Sequence, residues 1–153
     1  NDEKVALEFS RSLKRLGITA SVRIVDSAQY QARMNDFDFD MTINFWSSTL
    51  SPGVEQMYYW GSAAADQVGS RNYAGVKSPI VDALASSIPT ALTRAALVGR
   101  AKALDRVLMS GHYVIPLTYL GRDLVAYNTR LQRPAQTPLY GILPEQTWWQ
   151  KKD

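Results

Sequence analysis

The residues best equipped to do chemistry gather just after position 45. Trp46-Ser47-Ser48-Thr49, followed by Ser51-Pro52-Gly53, sets an indole beside a run of hydroxyls and free backbone N–H groups. That combination suits the binding of a ligand. The indole is a large apolar wall, and the small polar residues supply hydrogen bonds. Arg71, Asn72 and Tyr73 offer a second polar and aromatic group behind it. Each feature has a plainer reading beside this one. Trp46, Tyr58, Tyr59 and Trp60 equally suit a packed core, and Asn72-Tyr73 equally suits a turn with a packed ring.

Catalysis is poorly supplied. His112 is the only histidine and follows Gly111 at an expected helix-to-strand turn. No G-x-S-x-G elbow accompanies it. The absence of cysteine excludes disulfides, thiolate metal sites and a Cys nucleophile, and fits an exported protein. Asp36, Asp38 and Asp40 form a row of carboxylates, but on a strand they share a face and repel one another. A polar strand face explains them better than a metal site. Glycine-rich phosphate motifs are absent. The set favours binding over catalysis, with no catalytic residue, metal or cofactor assigned.

The elements that must position these residues are legible from hydrophobic periodicity. Residues 2–16 read as a helix with Val5, Phe9, Leu13 and Leu16 on one face, Asn1 or Asp2 as its cap and Gly17 as its stop. Alternation over 18–25 predicts a strand, and Asp26-Ser27 caps a short helix over 28–34. Phe37, Phe39, Met41, Ile43 and Phe45 alternate with Asp38, Asp40, Thr42 and Asn44, which predicts a second strand leading to Trp46. A short helix over 54–60 and a loop over 61–71 follow. Ser78 at the N-cap with Pro79 at N1 starts the next helix, which Pro89 ends. Thr90 caps a helix over 92–109 with the stripe Leu97, Ala101, Leu104 and Leu108. Strands are predicted over 113–120, with Pro116 marking an edge or bulge, and over 123–127. From Asn128 the pattern dissolves, and 129–153 reads as an extended strap lying on another part of the protein, with Trp148 and Trp149 packed on this lobe, on an absent lobe or on another copy.

At 153 residues the chain is one domain or one lobe of something larger. Its net charge of +3 comes from basic residues spread along the chain and interleaved with acids, which disfavours nucleic acid as a partner. No apolar run reaches membrane-spanning length. The opening NDEKVALEF is already helical in character. A strand is expected just before Asn1, and the chain is expected to be a fragment. Helix, strand, helix, strand is the rhythm of an α/β layer, with helices packed on a mixed sheet.

Four stretches together resemble a known family: Leu13–Ile18, Val25–Met41, Ser51–Pro79 and Ala101–Leu120. They are similar to the C-terminal part of the family 5 extracellular solute-binding proteins of peptide ABC importers, and within it to the Yej-type oligopeptide and microcin C binding proteins. The resemblance runs from about Glu3 to Trp149. It implies the C-terminal lobe of a type II (cluster C) periplasmic binding protein. Residues 1–128 would be the second α/β lobe without its first strand, and 129–153 a segment crossing back to the absent first lobe. It also implies a periplasmic location, an oligopeptide or modified peptide as ligand, and an inner-membrane ABC permease as partner. Many peptide-binding members carry an Asp three positions after the Trp of the cleft strand, where it pairs with the peptide amino terminus. Here Trp46 matches, but Thr49 stands in place of the Asp and supplies no charge; Glu55 is the acidic residue nearby. The expected ligand contacts are Trp46, Ser47, Ser48 and Thr49, with Arg71, Asn72 and Tyr73 behind them.

Two other classes remain open from the residues. One is a hydrolase using a serine and His112. The other is an interaction module or dimer formed through Tyr58-Tyr59-Trp60 and Trp148-Trp149.

Overall fold

The computed structural model describes residues 2–46, 49–119, 121, 124–139 and 141–151. It divides into two compact units, Asn1–Val114 and Ile115–Asp153.

The first unit is helical. Helix α1, Asp2–Lys14, has acids in its first turn and Arg11 and Lys14 in its last, as the helix dipole favours. Its inward face is Ala6, Phe9, Ser10 and Leu13, while Val5 and Leu16 stay exposed. The face is thus turned slightly from the one expected. Gly17 stops the helix at φ 78, where glycine carries no steric penalty. The Ile18 and Gly17 N–H groups donate back to Leu13 and Lys14, a Schellman closure.

Helix α2, Ser27–Asp36, is capped by Asp26, whose carboxylate accepts from the Gln29 N–H at 2.8 Å. It closes in the same way as α1, but with Phe37 in the left-handed position at φ 55. Phe37 therefore ends a helix rather than opening a strand. Helix α3, Glu55–Trp60, runs into a 3-10 turn at Ser62–Ala64.

Helix α4, Pro79–Ser87, starts at Ser78-Pro79 as expected, although the Ser78 hydroxyl makes no capping bond. It continues as a 3-10 turn, Ile88–Thr90. Helix α5, Arg94–Ser110, is capped by Thr93 and not by Thr90. Thr90 is still inside the 3-10 turn, and its hydroxyl donates to the Ser87 carbonyl. The core lies between α3, α4 and α5. Val76, Val81, Ala85, Ile88 and Leu104 are buried, with Met57, Trp60, Leu84, Leu97, Val107 and Leu108 packed around them.

The expected strands are the main departure. Residues 18–25, 37–45, 113–119 and 124–127 are without ladder pairing, while Leu120 and Asp123 lie outside the described residues. A strand is defined by its hydrogen-bonded neighbour, and among the described residues these segments have none. The only ladder there is antiparallel and in the second unit. Strand β1, Leu131–Gln132, pairs with β2, Trp149–Gln150, in the register Leu131 to Gln150 and Gln132 to Trp149. Between them lies the one-turn helix α6, Pro144–Thr147. The described residues therefore form a mixed structure, helices with a small sheet.

Candidate functional site

The segment before Trp46 is held by Tyr30 of α2, whose hydroxyl donates to the Ile43 carbonyl at 2.8 Å. Up to Phe39 the expected alternation holds, with Phe37 and Phe39 turned in and Asp36, Asp38 and Asp40 out. It then inverts, leaving Phe45 85% exposed and turning Trp46 inward. Trp46 lies against Trp60 of α3, with ring centroids 5.2 Å apart and planes tilted by 30°. The Trp46 indole Nε1 is buried and has no hydrogen-bond partner among the described residues. A buried donor left unpaired is costly, and in native proteins it marks a place where a further partner belongs.

Ser47 and Ser48 lie outside the described residues. Thr49 is exposed, and its hydroxyl accepts from the Ser51 N–H at 3.3 Å. Glu55, at the first position of α3, accepts from the Gly53 N–H at 2.8 Å. Arg94 of α5 donates to the Leu50 carbonyl at 2.9 Å.

Burial acts to raise the Glu55 pKa, but hydrogen bonds from the backbone at Gly53 and Glu55 and from the Gln56 side chain outweigh it and hold it below the ordinary glutamate range. The carboxylate is thus charged at neutral pH and already engaged by its own loop. A lowered folded pKa gives stability that is present above the unfolded pKa and lost as pH falls through the folded one. Glu55→Gln is expected to remove that acid-side loss. Urea midpoints measured from neutral pH down to below the ordinary glutamate range should fall less steeply in the variant. Parallel curves would show that the carboxylate contributes nothing to this dependence.

The Arg71–Tyr73 group separates by role. Arg71 is exposed and Tyr73 half-buried. Asn72 is fully buried. Its amide nitrogen donates to the Gly61 and Val76 carbonyls, both at 2.9 Å, and its oxygen accepts from the Val76 N–H at 2.9 Å. The side chain is used up in folding the 61–78 loop, so the turn reading describes Asn72. Ser70 supports it, accepting from the Asn72 N–H while donating to the Ala64 carbonyl. Gly61 is needed because a Cβ there would stand 2.4 Å from the Met57 carbonyl oxygen.

Elsewhere chemistry is sparse. His112 is exposed in the turn after α5 at φ 53. Asp36, Asp38 and Asp40 are exposed, and Asp38 pairs with Arg33 at 3.1 Å. Among the described residues, no group of three His, Cys, Asp or Glu could hold a metal ion. Among the described residues, no helix is long and apolar enough to cross a membrane. In the second unit, Trp148 meets Tyr127 edge to face at 4.8 Å, while Trp149 is 53% exposed.

No family model matches the chain. Individual relatives do. A Sinorhizobium fredii protein named "Uncharacterized protein y4wM" is 50% identical over 149 residues, 97% of this chain and 22% of the relative. An Agrobacterium fabrum protein named "Probable peptide-binding protein YejA" is 46% identical over 150 residues, 98% of this chain and 24% of the relative. A second A. fabrum protein, named "Peptidoglycan-binding protein YepA", is 44% identical over 147 residues, 96% of this chain and 24% of the relative. The chain thus spans less than a quarter of the length of the curated relatives it matches. The resemblance read from the motif stretches is borne out: over nearly all of its own length, this chain is homologous to part of the Yej-type binding proteins.

Proposed function

We propose that this chain is a ligand-binding part of a periplasmic receptor for oligopeptides or modified peptides. The receptor delivers its cargo to an inner-membrane ABC permease. In this reading the chain supplies the C-terminal lobe of a type II binding protein, and the unpaired extended segments belong to the sheet of that lobe. Ligand binding biases an open–closed equilibrium between two lobes.

The observation that carries the reading is the match to a relative named for peptide binding. In this reading the ligand lies at Trp46. The Trp46–Trp60 pair offers an apolar wall, and the buried Trp46 N–H offers a donor without a partner among the described residues. Thr49 would extend the contact, Arg71 and Tyr73 would add to it, and Asn72 holds the loop that carries them. An extended peptide would be bound mainly through its backbone. No charged group sits at Thr49 to pair with a free amino terminus, and Glu55 is engaged by Gly53.

The test is calorimetric titration of the whole protein with tetraalanine and with acetylated tetraalanine. Both are expected to bind, with affinities within about threefold because no ion pair to the amine is made. Trp46→Phe is expected to weaken both by about tenfold through loss of the indole donor. Its urea midpoint should be unchanged or slightly raised, since the unpaired donor is gone. Failure of either peptide to bind the unaltered protein would sink the reading.

A further inference from the structure

Among the described residues, side chains tie the loop after Trp46 at three points. Two ties are local: Thr49 Oγ1 accepts from the Ser51 N–H, and Glu55 Oε1 accepts from the Gly53 N–H. They curl the loop on itself and on the start of α3, but do not set where it lies on α5. The third tie does. Arg94 Nη1 reaches the Leu50 carbonyl at 2.9 Å, across 44 positions of sequence.

Arg94 is the first residue of α5, and no acid accompanies it in the first turn. A cation there opposes the helix dipole, so α5 gains nothing from it. The cap is already provided by Thr93, which accepts from the Ala96 N–H at 3.2 Å. The guanidinium instead turns to a loop carbonyl in an exposed setting, where a single bond contributes little to global stability. Because the acceptor is backbone, the bond fixes the course of the chain whatever side chains the loop bears.

We infer that Arg94 is a positioning residue for the ligand-binding loop: it holds the Leu50 carbonyl, and with it the backbone of 49–53, against the start of α5. The inference rests on the reading of that loop as a ligand contact. Arg94 itself touches no ligand. Its effect is to remove, before binding, freedom that the loop would otherwise lose on binding.

The test compares unaltered protein, Arg94→Ala and Arg94→Lys by amide hydrogen exchange without ligand, urea unfolding and tetraalanine titration. In Arg94→Ala the Ser51 and Gly53 amides are expected to exchange about 5- to 10-fold faster, from the loss of one restraining bond. Tetraalanine affinity should fall about 3- to 10-fold. The urea midpoint should stay the same or rise slightly, because the dipole conflict is relieved. Arg94→Lys, which keeps a donor, should recover part of both losses. Unchanged exchange overturns the inference, and so does faster exchange with unchanged affinity. A clear fall in the urea midpoint also overturns it, since Arg94 would then be a residue of the fold. If the unaltered protein binds no peptide, the proposed function fails, and exchange alone decides whether the tether exists.

Discussion

Asn72→Ala is expected to cost about 3–4 kcal/mol of stability, because each buried group left unpaired costs about 1–3 kcal/mol and partial entry of water offsets some of the sum. Two backbone groups lose their partner at once, the Val76 carbonyl and the Val76 N–H, and the Gly61 carbonyl keeps only the Ala64 N–H. Val76 is itself fully buried in the core, so the loss reaches beyond the loop. Thermal midpoints should fall by roughly 6–16 °C at this chain length. Asn72→Asp should be no better. It keeps one acceptor but turns a carboxylate oxygen toward two carbonyls. Urea unfolding decides the matter: a loss below about 1 kcal/mol for Asn72→Ala would show that water replaces the amide freely.

Ile88→Ala should cost about 3 kcal/mol, within the range of about 2–5 kcal/mol for buried large-to-small changes. Ile88 is 1% exposed and packs with Val76, Val81, Ala85 and Leu104 where α4 turns toward α5. The site cannot collapse easily. The 3-10 turn that carries Ile88 is pinned by Arg100, which donates to the Ser87 carbonyl and the Thr90 hydroxyl. Leu92→Ala, four positions on, is the matched control. Leu92 is 97% exposed, and its loss should fall within about 0.5 kcal/mol of zero. Equal losses at the two positions would mean that the core does not lie between α4 and α5.

The helices were legible because their signals are local. Ser78-Pro79, Asp26 and Gly17 each mark a helix end within a few residues. The Thr90 and Thr93 positions show the limit. Both are threonines ahead of the same apolar stripe, and only the 3-10 continuation past Ile88 decides between them. Alternation over 18–25 and 37–45 reports how side chains would face, but nothing in it names the neighbouring strand. It also missed the inversion after Phe39 that turns Trp46 inward. The β1–β2 ladder was missed because two residues on each side leave no period to detect. The candidate site was proposed from residue types alone. Its wiring was not legible, since the Asn72 clasp closes on Gly61 and the Arg94 tether on Leu50, contacts that no spacing rule announces.

The extended segments carry a consequence for behaviour in concentrated solution. Rows of backbone donors and acceptors without a neighbour are templates on which another chain can grow a cross-β aggregate. Ile24, Met41, Phe45 and Tyr119 add exposed apolar surface to those rows. Set among them are Arg23, Asp38, Asp40 and Pro116, all exposed. Charges and a proline at such places act as gatekeepers, repelling or blocking an incoming strand.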